Sequence, residues 1–152
     1  MLAQEAKSSL ILFEPGDILF GAMRSYFHRV NFSKIKGVTR TTAMVLRPKN
    51  NKFLGFSLML MNQTSTVNFA SITSKGSTMP YAVWNETLEN MPIILPKEKI
   101  IIDYSEKVNF MLNKIQHNIN QIQSLTKTRD TLLPKLMSGQ VRVNNIKQTA
   151  DA

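Results

Sequence analysis

The sequence predicts an α+β fold: a mixed domain of short strands and short helices, followed by one long helix. Three observations lead there. The first ninety or so residues break into short apolar runs punctuated by Pro, Gly and Asn signals. Residues 97–133 then contain neither Pro nor Gly and repeat an apolar residue about every 3.5 positions. Finally, 43% of the 152 residues are hydrophobic and none is Cys, so a core must come from packing and not from disulfides.

In chain order, residues 10–13 and 17–20 read as short strands around a Pro15-Gly16 turn. Residues 42–46 read as another strand, stopped by Arg47-Pro48. Residues 53–61 are longer, apolar and largely unbranched, which favours a helix. Residues 69–73 fit a short strand or turn, Lys75-Gly76-Ser77 a loop, and Asn85-Glu86-Thr87-Leu88 a short helix start. Ile93-Ile94-Leu95, between Pro92 and Pro96, fits a strand. The expected organisation is a domain over residues 1–96, a long helix over 97–137 and a tail over 138–152.

The long helix carries heptads. Its a positions are Ile101, Val108, Ile115, Ile122, Arg129 and Leu136; its d positions are Tyr104, Met111, Asn118, Leu125 and Leu132. All but Asn118 and Arg129 are apolar, and Leu112, Ile119 and Leu133 widen the stripe. The two polar positions either fix register or lie at the edge of the contact. Such a helix is about 55 Å long, so part of its stripe must meet something beyond its own domain. Ile101, Val108, Met111, Ile115, Ile122, Leu125 and Leu132 are the candidate interface. Pro134 is expected to stop or kink the helix, and Gly139 suits its C-terminus.

Net charge is +9, and its distribution says more than its total. Residues 18–85 contain no Asp or Glu, yet they hold Arg24, Arg29, Lys34, Lys36, Arg40, Arg47, Lys49, Lys52 and Lys75. That window carries a positive field whatever its fold, and nucleic acid is the natural partner because neutralised phosphates release counterions. A basic surface kept for solubility is the competing account. No run is apolar enough to cross a membrane, and no secretory signal is expected, since Glu5 comes early and no basic segment opens the sequence. Absence of Cys fits a reducing cytosol, and a cytoplasmic location is expected.

Several segments together resemble the DNA specificity subunits of type I restriction-modification systems. RDTLLPKLMSGQVRV, from Arg129 through Val143, resembles the end of such subunits. GDILFGAMRSYFHRV, from Gly16 through Val30, resembles a strand-and-loop segment of their target-recognition domains. KGSTMP from Lys75, then Trp84 and LENMPIILP from Leu88, resemble the rest of such a domain and its exit. The resemblance runs over roughly residues 15–143 in the right order. It implies a subunit with two recognition domains held apart on a bipartite DNA site by two antiparallel helices. Such a subunit is not itself catalytic; it bridges two adenine methyltransferase subunits and recruits a motor-nuclease subunit. This chain departs from that plan in carrying one domain and one helix. Only fifteen residues precede Gly16, so the domain is expected to be clipped at its N-terminus. The chain is then a fragment, a split gene product or a shuffling cassette.

The expected function is sequence-specific recognition of double-stranded DNA within such a complex. The helix would pair with a second copy or with another specificity polypeptide. The alternative is a truncated interaction protein that docks methyltransferase subunits through its helix without reading DNA specifically. Candidate DNA contacts are Arg24, Tyr26, Arg29, Lys34, Lys36 and Arg40, in a loop-rich stretch after a strand, and Lys75, Ser77, Thr78 and Tyr81 in and after a second loop. Phe20, Phe27, Phe32, Phe53, Phe56 and Trp84 read as core, and residues 59–61 as core or interface.

No catalytic constellation, cofactor loop or metal cluster is expected. His28 and His117 lack convergent ligands, Ser138 has no His partner nearby, and the six Gly make no phosphate cradle. Asp103, Glu106 and Lys107 read as a solvated helix face.

Overall fold

The computed structural model describes residues 9–141. The expected tail over residues 138–152 falls mostly outside that range. The order is β1 (Leu10–Phe13), β2 (Ile18–Gly21), β3 (Val30–Phe32), β4 (Gly37–Arg40), β5 (Ala43–Leu46), α1 (Leu54–Met61), α2 (Thr64–Ile72) and α3 (Glu98–Met137), with 3-10 turns at Ser25–Phe27, Asn51–Phe53 and Leu88–Asn90. This is the expected α+β arrangement. The chain divides into two compact units, residues 1–109 and 110–152, and α3 belongs to both.

β1 and β2 lie where the sequence puts them, but they do not pair with each other. β1 pairs antiparallel with β4, and β2 is the middle strand of a three-stranded antiparallel sheet ordered β3-β2-β5. The turn between them sends the chain to a different sheet. Asp17 N–H donates to the Glu14 carbonyl at 3.1 Å, and Glu14 N–H donates back to the Asp17 carboxylate at 2.7 Å. Gly16 takes φ 96°, open to glycine at little cost. In the smaller sheet, Gly37 faces Phe13, whose ring would lie 2.5 Å from a Cβ at that position. The ring covers the space a side chain would fill.

The sheets are tied at one corner by charge. Asp17 is fully buried, and Arg47, just past β5, reaches it with Nε at 2.6 Å and Nη2 at 2.8 Å. Glu14 adds a third contact to Arg47 at 3.3 Å. The Arg47 hydrogen bond holds the Asp17 carboxyl below its ordinary range; burial opposes this, and the Glu14 N–H assists it. The bidentate fork is the strong form of such a pair.

α1 forms as expected. Asn50 accepts from Lys52 N–H at 3.0 Å and opens the preceding 3-10 turn. α2 was expected as a strand or turn around residues 69–73; it is a helix beginning at Thr64. Its Ser, Thr and Val residues are poor helix formers, and packing overrides that preference. Thr66 is fully buried, and its hydroxyl donates to the Leu60 carbonyl at 2.7 Å, joining α2 to α1. The core consists mainly of Ile18 and Phe20 of β2, Leu58 and Met61 of α1, Val67 and Ala70 of α2, and Ile101 of α3.

The first turns of α3 seat on α1. Gly55 approaches so closely that a Cβ there would lie 2.7 Å from the Ser105 carbonyl oxygen and 2.9 Å from Val108 Cβ. Phe56 N–H donates to the buried Ser105 hydroxyl at 2.9 Å. One expectation fails here, and of the two outcomes expected at Pro134 the stop is excluded. Residues 93–95 form no strand, and Ile94 is almost fully exposed; the flanking Pro92 and Pro96 offer no N–H to a ladder. The helix also continues through Pro134 to Met137. Near the end of the helix, a missing proline N–H costs one bond and no following turn depends on it. Termination comes at Gly139 (φ 73°), whose N–H donates to Leu136 at 3.1 Å.

Two outcomes follow. Because the Asp17 carboxyl is depressed, its contribution is fully present above about pH 4, where the unfolded Asp titrates, and is lost as pH falls toward the folded value. Urea midpoints measured from pH 7 to pH 3 should fall for the parent chain, and Arg47→Met should lower the pH 7 midpoint and flatten that slope. Gly55→Ala should destabilise unit 1 by about 1–3 kcal/mol, because its Cβ meets backbone that cannot swing away; an unchanged melting curve would refute the close approach.

Candidate nucleic-acid interface

The loop between β2 and β3 is built on a glycine. Gly21 N–H donates to the Arg29 carbonyl at 2.7 Å, and a Cβ on Gly21 would touch Arg29 Cβ at 3.0 Å. Beyond this neck the chain makes a 3-10 turn, Ser25–Phe27, bracketed by two left-handed residues, Arg24 (φ 51°) and His28 (φ 53°). Neither is glycine, so the loop holds a conformation that costs energy and that its surroundings must enforce. Phe27 N–H donates to the Arg24 carbonyl at 3.0 Å. The His28 ring Nε2 lies 2.9 Å from the Asn62 carbonyl. A carbonyl only accepts, so this contact requires the proton on Nε2. Ser25 is buried beneath the turn.

A second loop is joined to the first. Lys75 and Tyr81 exchange backbone hydrogen bonds, both at 2.9 Å, and close residues 75–81 into a small loop with Gly76 at φ 92°. Arg24 N–H donates to the Pro80 carbonyl at 2.8 Å, and Ala82 N–H to the Ala22 carbonyl at 2.8 Å. Met23 and Tyr81 form an antiparallel bridge. The backbone therefore brings Arg24, Tyr26 and Arg29 beside Lys75, Ser77, Thr78 and Tyr81, all exposed. An open groove of about 740 Å³ runs along this side, lined by Met23, Arg24, Phe27, His28, Arg29 and Met79 among others.

The other three expected contacts lie elsewhere in the fold. The half-buried Lys34 places its ammonium 4.8 Å above the Phe32 ring. Lys36 precedes β4 and Arg40 ends it, so both belong to the smaller sheet. Among the described residues, the ion pairs are Arg47 with Asp17, Arg47 with Glu14, and Arg129 with Asp130. Arg47 is thus withdrawn from the positive window, whereas Arg24, Arg29 and Lys75 remain outside any of those pairs.

Sequence reading missed Phe27. It was expected in the core, yet it is 51% exposed, its ring 4.8 Å from that of Tyr26, with the Arg29 guanidinium 4.8 Å from its centroid. The available signal was its place in a polar, basic run, Arg24-Ser25-Tyr26-Phe27-His28-Arg29, with no hydrophobic periodicity. Met79 was likewise not singled out and is 53% exposed. Trp84, also expected as core, is partly exposed beside Arg47 and Met61 in a second, apolar groove.

Along α3, Ile101 is buried in unit 1, and Val108 is half-buried close to Gly55. In unit 2, Met111, Ile115, Ile122, Leu125 and Leu132 are all exposed, between 42% and 69%. Among the described residues, no cluster of His, Cys, Asp or Glu is placed to hold a metal, and no helix is long and apolar enough to cross a membrane.

No protein-family model matches the chain. It is similar to the specificity subunit of the type I restriction enzyme MjaIX of Methanocaldococcus jannaschii, 40% identical over 72 residues that make up 47% of this chain and 16% of that protein. It is also similar to the specificity subunit of the type I restriction enzyme HindI of Haemophilus influenzae, 27% identical over 94 residues, 62% of this chain and 20% of that protein. The resemblance drawn from the sequence segments is borne out, and the chain spans about a sixth to a fifth of the length of these relatives.

Proposed function

We propose that this chain is a DNA-recognition module of a type I restriction-modification specificity subunit. In this reading residues 1–96 read one part of a bipartite site, residues 97–137 form the spacer helix, and residues 138–152 are a tail. The observation that carries it is the joining of two exposed cationic loops, residues 22–29 and 75–81, into one surface in a chain whose relatives are specificity subunits. Arg24 and Arg29 supply forked donors suited to guanine edges or phosphates. Lys75, Ser77 and Thr78 supply phosphate contacts. The module does no chemistry; methylation and cleavage belong to partner subunits, which it positions on double-stranded DNA in the cytoplasm.

The exposed a and d residues of unit 2 support a partner for the helix. That partner is a second copy, giving a two-fold symmetric site, or another specificity polypeptide. A second reading, a truncated protein that docks methyltransferase subunits without reading DNA specifically, rests on the same exposed seam.

Selection of bound sequences from a random duplex pool tests the first reading. Enrichment of a defined motif supports it; salt-sensitive binding with no enrichment favours the second. Log affinity plotted against log salt should lose about one unit of slope for each of Arg24→Ala, Arg29→Ala and Lys75→Ala, and Arg47→Ala should leave that slope unchanged. Truncating both Ile122 and Leu125 to Ala should abolish self-association or methyltransferase uptake in sedimentation; assembly equal to the parent's would rule out the helix seam.

A further inference from the structure

Phe27 and Met79 come from different loops yet line the same groove, and each leaves about half its surface in water. One such side chain alone would be ordinary, but two brought together from separate loops make an exposed apolar patch. Their backbones are fixed relative to each other by the Arg24 to Pro80 hydrogen bond and the Met23–Tyr81 bridge. The turn that carries Phe27 is held by the His28 contact to Asn62, and Ser25 at its start is buried with its hydroxyl unpaired among the described residues. The strained left-handed pair, Arg24 and His28, therefore holds the ring out on an anchored base. Arg24 and Arg29 line the same groove, in a window without a single carboxylate.

A platform for single-stranded bases needs an open ring face. Phe27 has the Arg29 guanidinium over its ring and Tyr26 tilted at 52° beside it, so its ring is already engaged by two neighbours. Phe and Met are among the side chains that insert between base steps and unstack them.

We propose that Phe27 and Met79 form an apolar wedge that enters a base step of duplex DNA and kinks it, with Arg24 and Arg29 on the flanking phosphates. This rests on the DNA-binding reading above. The wedge accounts for apolar exposure, backbone strain and surrounding positive charge in one arrangement. It adds indirect readout, because flexible pyrimidine–purine steps open at lower cost than stiff ones.

The test compares two duplexes of identical sequence, one continuous and one carrying unpaired adenines at its centre, so that it is kinked before binding. With the full chain at fixed salt, the kinked duplex should bind roughly tenfold tighter, since its unstacking is already done. The Phe27→Ala, Met79→Ala double variant should keep its salt slope and its circular dichroism but bind the two duplexes within about twofold of each other. Phe27→Trp, which retains a flat apolar ring, should keep the preference. Equal binding of both duplexes by the parent, an undiminished preference in the double variant, or tighter binding to single strands than to either duplex would each overturn the wedge while leaving DNA binding intact. No salt-sensitive affinity for either duplex would overturn the wedge and the underlying reading together.

Discussion

The Asp17–Arg47 pair is the constraint on which one end of the three-stranded sheet depends. It ties the residue that opens β2 to the residue that follows β5, at the end of the sheet where Ile18 faces Leu46. β2 runs from that corner to Gly21, where the cationic loop begins. A buried carboxylate without its guanidinium would be expensive, so these two side chains set the corner, while the loop's base at the other end of β2 is set by the Gly21 to Arg29 backbone bond. The pair also divides the basic residues by task. Arg47 serves the fold, and the cations on the two joined loops are left to serve the surface.

A recognition surface of this kind works against its own stability. Like charges are crowded with few anions to offset them, two non-glycine residues sit in the left-handed region, and aromatic surface faces water. The fold absorbs this by anchoring each loop through backbone hydrogen bonds, and the first loop also through the His28 side chain on the Asn62 carbonyl. Exposed residues other than His28 can therefore change without removing those bonds.

Much of the architecture was legible in the sequence, and what escaped did so for physical reasons. β1, β2, β5, α1 and α3 announce themselves through apolar runs and heptads. β3 is only three residues long, and β4, Gly37–Arg40, holds Val38 as its one large apolar residue, so neither makes an apolar run. α2 hides behind residues that prefer strands and caps, and only its packing on α1 makes it helical. Pairing partners were not legible either, because the β1–β2 turn resembles a hairpin until Asp17 is seen to redirect it. The joining of the loops around Arg24 and Lys75 rests on long-range backbone contacts that no local pattern carries. Phe27 was assigned by residue type, and its neighbours determined its place.

The chain has a single tryptophan, and its position gives the molecule a built-in optical label. Trp84 sits partly exposed beside Arg47 and Met61, within unit 1 and next to the charged corner. Tryptophan emission of the unmodified protein thus reports on unit 1 and carries no signal from residues 110–152. Far-ultraviolet ellipticity is weighted toward the 40-residue α3. Emission and ellipticity recorded on one sample separate the melting of the domain from the melting of the distal helix without any introduced dye.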